Sequence, residues 1–261
     1  MKYGFIGCGN MGGALAKALA KTTTGFLITD RSGKARTLAA ELGGSYGTTE
    51  EIVKTCDRIF LCVKPQMMVG VLQPLQPELA ARKPLLITMA AGLSMAQIQA
   101  MAGTDLPIIR IMPNTPAAVG KGVILYCKNE LVNDEILADF LNDMAHSGWL
   151  EPLEERLMDA GSALSGSSPA FVYVFLEALA DGAVACGIPR AKALELAAMT
   201  VIGAGEMLLQ TGKHPGELKD AVCSPAGSTI EGIRSLERQG LRSAVTEALC
   251  ATYVRNGSLG K

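Results

Sequence analysis

The stretch Lys2-Tyr3-Gly4-Phe5-Ile6-Gly7-Cys8-Gly9-Asn10-Met11-Gly12 decides how this chain folds. A short apolar run ends in Gly7-x-Gly9-x-x-Gly12, and the helix-forming run Ala14-Leu15-Ala16-Lys17-Ala18-Leu19-Ala20 follows at once. Each glycine has its own task in that order. Gly7 lets a strand turn sharply, Gly9 lets backbone approach a pyrophosphate, and Gly12 lets the new helix pack closely on its strand. The free N–H groups of the first helical turn then face the phosphates, where the helix dipole favours negative charge. An acidic residue, Asp30, follows about twenty residues on, as a dinucleotide site requires. A secretory signal starting at Lys2 is the competing reading. Gly7, Gly9, Asn10, Gly12 and Gly13 break the continuous apolar core that a signal needs.

Beyond this stretch, short apolar runs alternate with helical patterns as far as residue 150. Strands are predicted at 3–6, 26–29, 58–63, 85–88 and 108–111, with two more near 123–127 and 148–150. Helices are predicted at 12–22, 35–42, 50–55, 67–79 and 94–101. Several strands are apolar throughout, which suits a parallel sheet covered on both faces. The alternation implies an α/β, doubly wound, Rossmann-like domain. After Pro152 strand signals vanish and Ala-, Leu- and Met-rich helices take over. Ser168-Pro169 reads as a helix start with Ser as cap, Ile188-Pro189 as a second, and Ser228-Thr229-Ile230-Glu231 as a capping box opening a third. The expected domains are therefore 1–152, binding a dinucleotide, and 153–261, all-helical.

Composition excludes several classes. A formal net charge of −1 gives no general electrostatic reason to bind nucleic acid or membrane, and 5% aromatic content argues against a base-stacking surface. The longest apolar run, 170–188, is interrupted by Glu177 and Asp181, so no run is expected to span a membrane. Seven scattered cysteines without a C-x-x-C read as reduced thiols of a cytoplasmic protein. With only two histidines, no metal site is expected. The apolar stripe Val172, Phe175, Leu176, Leu179, Ala183 and Cys186 points to pairing with a second copy.

Four places carry chemistry. The turn after the second strand reads Thr29-Asp30-Arg31-Ser32-Gly33-Lys34. Asp30 suits a ribose 2′-OH and hence NAD, whereas Arg31, Ser32 and Lys34 suit a 2′-phosphate and hence NADP. A carboxylate beside a phosphate repels it unless it turns away. Both cofactors remain compatible, with three phosphate donors favouring NADP. The third strand ends in Cys62-Val63-Lys64-Pro65, the next in Met89-Ala90-Ala91-Gly92, whose small residues admit a flat nicotinamide ring. Met112-Pro113-Asn114-Thr115-Pro116 reads as a rigid loop. Two Ser/Gly-rich turns, 164–170 and 222–229, offer N–H groups and hydroxyls to a small carboxylate. No nucleophile elbow or catalytic His is evident. Hydride transfer to an iminium carbon needs neither if one hydroxyl lies near the nitrogen.

Gly4 through Gly12, Val63-Lys64-Pro65, Met112-Pro113-Asn114-Thr115-Pro116, Leu164-Ser165-Gly166-Ser167-Ser168-Pro169-Ala170 and Ser224-Pro225-Ala226-Gly227-Ser228-Thr229 together resemble pyrroline-5-carboxylate reductase, in order across the chain. The resemblance implies NAD(P)H-dependent reduction of 1-pyrroline-5-carboxylate to proline, ending proline biosynthesis. It implies a cytoplasmic homodimer through the helical domain, assembled in some members into a ring of dimers. By position, Ile6, Gly7, Cys8, Gly9, Asn10 and Met11 resemble the pyrophosphate turn. Asp30, Arg31, Ser32, Thr49, Cys62, Val63, Lys64, Pro65, Met89, Ala90 and Ala91 complete the cofactor site that it implies. Thr229 resembles the hydroxyl that bonds the ring nitrogen, with Ser224, Gly227 and Ser228 around the carboxylate and Glu155 as a substrate-facing acid. Ser168 and Ala226 stand where the family has glycine. One alternative is an imine or 3-hydroxy-acid reductase on another small carboxylate, with Lys192 or Lys219 as its base. A non-enzymatic alternative is a dinucleotide-sensing module.

Overall fold

The computed structural model describes residues 2–31, 33 and 35–258. Two compact units are formed, Met1–Pro169 with Ala251–Lys261, and Ala170–Cys250. The first is built on an eight-stranded sheet of order β3-β2-β1-β4-β5-β6-β7-β8. Its strands are β1 Tyr3–Ile6, β2 Leu27–Thr29, β3 Ser45–Tyr46, β4 Arg58–Leu61, β5 Leu85–Thr88, β6 Ile108–Met112, β7 Gly122–Lys128 and β8 Gly148–Pro152. β1 through β6 run parallel, β7 is antiparallel to β6, and β8 is parallel to β7. The order reverses at β1, where β2 lies on one side and β4 on the other. Open α/β sheets bind ligands at such a switch point.

The apolar strands divide their residues between two cores, as a sheet covered on both faces demands. Phe5, Ile28, Phe60, Ile87 and Ile109 join one cluster, while Ile6, Leu27, Ile59, Leu61 and Leu86 join the other. Phe5 and Phe60 stack at 4.5 Å between ring centroids. The covering helices are α1 Asn10–Leu19, α2 Ala35–Glu41, α3 Thr49–Thr55, α4 Met68–Leu72, α5 Gln76–Arg82, α6 Met95–Ala102 and α7 Asp134–Asp143. The predicted 67–79 helix is broken because Pro74 and Pro77 each remove a backbone donor, leaving a short 3₁₀ turn between α4 and α5; a second 3₁₀ turn, opened by Pro65, precedes α4. Strand β3 and helix α7 were not foreseen. The α7 signal was present: Asn133 caps it, accepting from the Ile136 N–H at 2.8 Å, and Asp134 and Glu135 fill its first turn. Buried Arg58 fastens that helix through Asp139 at 2.8 Å and Asp143 at 2.9 Å.

Strand signals end at Pro152, where the domain boundary was expected, yet the first unit continues to Pro169. Met158 is fully buried against Met112 and Leu125, which holds the next segment on the sheet. The chain then runs through a short 3₁₀ turn, α8 Met158–Gly161 and a π-helical segment Ser162–Ser167 into α9 Ser168–Ala185. Ser168 is therefore not a cap, because the helix is already under way before it. Pro169 lacks an N–H, and the wider π turn ahead of it absorbs the lost helical bond. The helical unit continues with α10 Arg190–Thr211, α11 Pro215–Ala221, α12 Ser228–Arg238 and α13 Leu241–Asn256, whose last turns belong to the first unit.

Two helical stretches, Glu155–Ala185 and Arg190–Thr211, are long and apolar enough to cross a membrane by length and composition. Counting unbroken apolar runs had missed them, because isolated charges such as Glu177 and Asp181 do not remove a helix from that class. Most of their apolar residues, including Tyr173, Val174, Leu196, Met199 and Ile202, are exposed in the single chain.

Candidate active site

At the carboxyl end of β1 the backbone follows the turn read from sequence. Gly7 takes φ +86°, and its N–H donates to the Thr29 carbonyl at 2.9 Å. A Cβ at Gly12 would lie 2.8 Å from the Gly7 carbonyl oxygen and 3.0 Å from the Cys62 Cβ, so α1 packs too closely for any side chain there. A Cβ at Gly9 would meet nothing within 4 Å. Gly9 is the N-cap of α1, with no side-chain cap and no acidic residue in the first turn. The N–H groups at Asn10 and Met11 are thus presented without an internal competitor, which fits a pyrophosphate.

The ends of the neighbouring strands lie on either side of this turn. Asp30 follows β2 directly, and its carboxylate Oδ1 lies 3.4 Å from the Tyr46 hydroxyl, which donates to the Asp30 carbonyl at 2.9 Å. Arg31 is exposed beside it; Ser32 and Lys34 lie outside the described residues. Thr49 is the first residue of α3, capped by Thr48 in a full capping box with Glu51. The Cys62 N–H donates to the Ile6 carbonyl at 2.9 Å, placing β4's end beside the glycine turn. A Cβ at Gly7 would come within 2.9 Å of Val63. Lys64 is exposed and Pro65 opens a 3₁₀ turn. After β5, Ala90 is buried, Met89 and Ala91 are half-buried, and Thr88 Oγ1 accepts from the Ala90 N–H at 3.4 Å. Burial and the Asp30 charge push the Cys8 thiol up to about 11, and burial followed by Cys8 holds Cys62 well above the ordinary thiol range. Both remain protonated and inert near neutrality.

Glu155 belongs to this first unit. Its Oε1 accepts from the Met95 N–H at 2.6 Å and lies 3.5 Å from Arg110 Nη1. Buried Arg110 also pairs with Asp159 at 2.8 Å. The carboxylate expected to face substrate is thus occupied by a helix start and an ion pair. The rigid loop after β6 has a role that the sequence reading missed. Asn114 is buried; its Nδ2 donates to the Ser165 carbonyl at 2.9 Å and its Oδ1 accepts from the Val123 N–H at 2.9 Å. It ties β7 to the π turn. The first Ser/Gly-rich turn is therefore helix interior and not the open helix start expected of it.

The second Ser/Gly-rich turn does open a helix. Gly227 is the N-cap of α12, in extended conformation, with no side-chain cap bond. Ser228 is the first helical residue, so the expected capping box does not form, and Glu231 pairs instead with Arg234 at 2.8 Å. A Cβ at Gly227 would crowd Ser224 Oγ and lie 3.1 Å from the Ser224 carbonyl oxygen. Ala226 adopts φ +58°, a left-handed conformation in which glycine costs less. Ser224, Ser228 and Thr229 are exposed around the uncapped start. The rival lysines are engaged elsewhere: Lys192 pairs with Glu195 at 2.6 Å, and Lys219 with Asp220. His214 Nδ1 accepts from the Gly216 N–H at 3.1 Å and caps α11. Among the described residues no group of His, Cys, Asp or Glu could hold a metal ion.

The chain is similar to known proteins over its full length. Residues 155–259 match the family model described as pyrroline-5-carboxylate reductase dimerisation, and residues 2–92 match NADP oxidoreductase coenzyme F420-dependent. A pyrroline-5-carboxylate reductase of Escherichia coli is 41% identical over 266 residues, covering 100% of this chain and 98% of the relative. The crystal structure of the Plasmodium falciparum pyrroline carboxylate reductase with NADP bound superposes with a TM-score of 0.91 at 32% identity, covering 100% and 98% of the two chains. The Streptococcus pyogenes enzyme, a 1-pyrroline-5-carboxylate reductase, gives 0.91 at 36% identity, covering 99% and 98%.

Proposed function

The chain belongs to the pyrroline-5-carboxylate reductase family, and we propose on that premise how its own residues carry the reaction. The enzyme reduces 1-pyrroline-5-carboxylate to L-proline with NADPH, NADH being the alternative donor, at the last step of proline biosynthesis. The bound dihydronicotinamide supplies the hydride. Ile6 through Met11 hold the pyrophosphate on the uncapped start of α1. By position in sequence, Asp30, Arg31, Ser32 and Thr49 would serve the adenosine ribose. Cys62 through Pro65 and Met89 through Ala91 line the nicotinamide side, where small residues leave room for a flat ring.

The observation that carries the substrate reading is the uncapped start of α12, an eleven-residue helix, with Thr229 at its second position. Its N–H groups, with Ser224 and Ser228, take the substrate carboxylate. The Thr229 hydroxyl donates to the ring nitrogen. Reduction of the C=N bond adds one hydride at carbon and one proton at nitrogen; the Thr229 hydroxyl would relay that proton from water, giving the secondary amine. Glu155 acts indirectly, by fixing the start of α6 and Arg110.

The exposed apolar faces of α9 and α10 are covered by a second copy, giving a homodimer that can assemble into a ring of dimers. Lipid is the poorer cover, because Glu177, Asp181, Glu195 and Glu206 interrupt these helices, and a charged side chain at a membrane midplane costs about 2.5–3.5 kcal/mol. The seven cysteines are unpaired, in keeping with a reducing cytoplasm. The test is NADPH and NADH oxidation by purified protein with pyrroline-5-carboxylate. Turnover is expected with NADPH preferred; no turnover with either cofactor would overturn the reading.

A further inference from the structure

We propose that Arg36, held on the ring of Tyr46, is the specificity-determining cation for the 2′-phosphate of the dinucleotide. This deepens the reading above and rests on it. The sequence poses a conflict at this turn: Asp30 stands where a 2′-phosphate would be repelled. The structure supplies a resolution from an unforeseen strand. Tyr46 ends β3, paired with Ile28 of β2, on the side of β2 away from the glycine turn. Its hydroxyl holds the Asp30 carbonyl at 2.9 Å and has the Asp30 carboxylate 3.4 Å away. The acid thus has a hydroxyl of the outer edge strand within reach. The other function of Tyr46 is to carry a cation. The Arg36 guanidinium carbon lies 4.4 Å from the centroid of its ring.

Arg36 is exposed, on the second residue of α2, and among the described residues no carboxylate forms an ion pair with it. A guanidinium lying on an aromatic face is fixed in place, yet its N–H donors remain free at its edges for planar contacts to phosphate oxygens. Arg31 and Arg36 together outweigh the single Asp30 charge. The turn therefore accepts a dianion despite its acid. Tyr46 is a positioning residue in this arrangement and Arg36 is the contact. Stacking on adenine is the competing role for Arg36, and it would serve both cofactors equally.

The test uses the full-length enzyme with Arg36→Gln, Tyr46→Leu and Tyr46→Phe. Kinetics with NADPH and NADH are compared with calorimetric titration of adenosine 2′,5′-bisphosphate and adenosine 5′-monophosphate. Arg36→Gln should raise KM for NADPH and Kd for the bisphosphate about tenfold or more, the loss of one charge-assisted contact. KM for NADH, monophosphate binding and kcat should stay within about twofold. Tyr46→Leu should behave like Arg36→Gln, and Tyr46→Phe, which keeps the ring, should retain most of the NADPH preference. Equal losses for both cofactors, or no loss in Arg36→Gln, would overturn the assignment. If the wild-type enzyme does not turn over, the reductase reading falls, and the two nucleotide titrations still decide the role of Arg36.

Discussion

At the residue scale, glycines that look alike in sequence have different reasons for being there. Gly12 is fixed by the protein, because a side chain would strike the Gly7 carbonyl and Cys62. Gly9 has open space, so only a ligand forbids a side chain there. Gly9→Val should therefore abolish dinucleotide binding while leaving the melting temperature nearly unchanged, whereas Gly12→Val should cost about 1–3 kcal/mol by overpacking. Cofactor titration and thermal melts separate the two, and normal NADPH binding by Gly9→Val would displace the pyrophosphate from this turn. Ala226 is the opposite case, a side chain where glycine fits better. A left-handed Ala costs about 1–2 kcal/mol, and the freer unfolded chain of a glycine returns about 0.4–1 kcal/mol. Ala226→Gly should raise stability by about 0.5–1 kcal/mol, or about 1–3 °C in Tm; a lower Tm would show that its methyl group makes a useful contact. The glycine motif and its uses were legible because each follows from local backbone geometry. The roles of Glu155 and Asn114 were not, because their partners Met95, Arg110 and Ser165 are distant in sequence.

At the element scale, strands were legible because an interior sheet needs nearly unbroken apolar runs, and β1 and β5 fall where that pattern placed them. Two-residue β3 is too short to show a period, and its pairing with β2 is a tertiary event. Helix starts were harder. Ser168-Pro169 and Ser228-x-x-Glu231 both carry capping chemistry, yet the first lies inside a continuous helix and the second is preceded by Gly227 as the true cap. The choice depends on where the preceding turn already points, which local composition does not encode. The π turn that replaces the first helix start needs a partner for its carbonyls, and Asn114 provides one at Ser165. Asn114→Ala would leave that carbonyl and the Val123 N–H without their buried partner, at a cost of about 2–4 kcal/mol. Asn114→Asp keeps the acceptor but sets a buried carboxylate against the Ser165 carbonyl, and should cost at least as much. Urea unfolding midpoints measure both, and a neutral Asn114→Ala would mean that the loop is rigid through its prolines alone.

At the scale of the whole molecule, the two-part plan was legible in the loss of strand signals after Pro152, while the compact unit's extension to Pro169 depends on Met158 packing onto β7. The helical unit exposes Val174, Met199 and Leu209 over more than half of their surface, as a face that pairs with a second copy would. The full-length enzyme should sediment as a dimer or larger, and Val174→Glu with Met199→Glu should shift it toward monomer. A fully active wild-type monomer would defeat the assembly. In the proposed reaction, one hydroxyl at the start of α12 serves the transition state. The test is kcat and KM for pyrroline-5-carboxylate in Thr229→Ala and Thr229→Ser, with thermal melts alongside. A donor acting in the transition state should appear mainly in kcat, reduced at least about tenfold in Thr229→Ala, equivalent to about 1.4 kcal/mol, and largely restored in Thr229→Ser. A Thr229→Ala enzyme with unchanged kcat and a lowered melting temperature would contradict the account, leaving Thr229 as a support for its helix and nothing more.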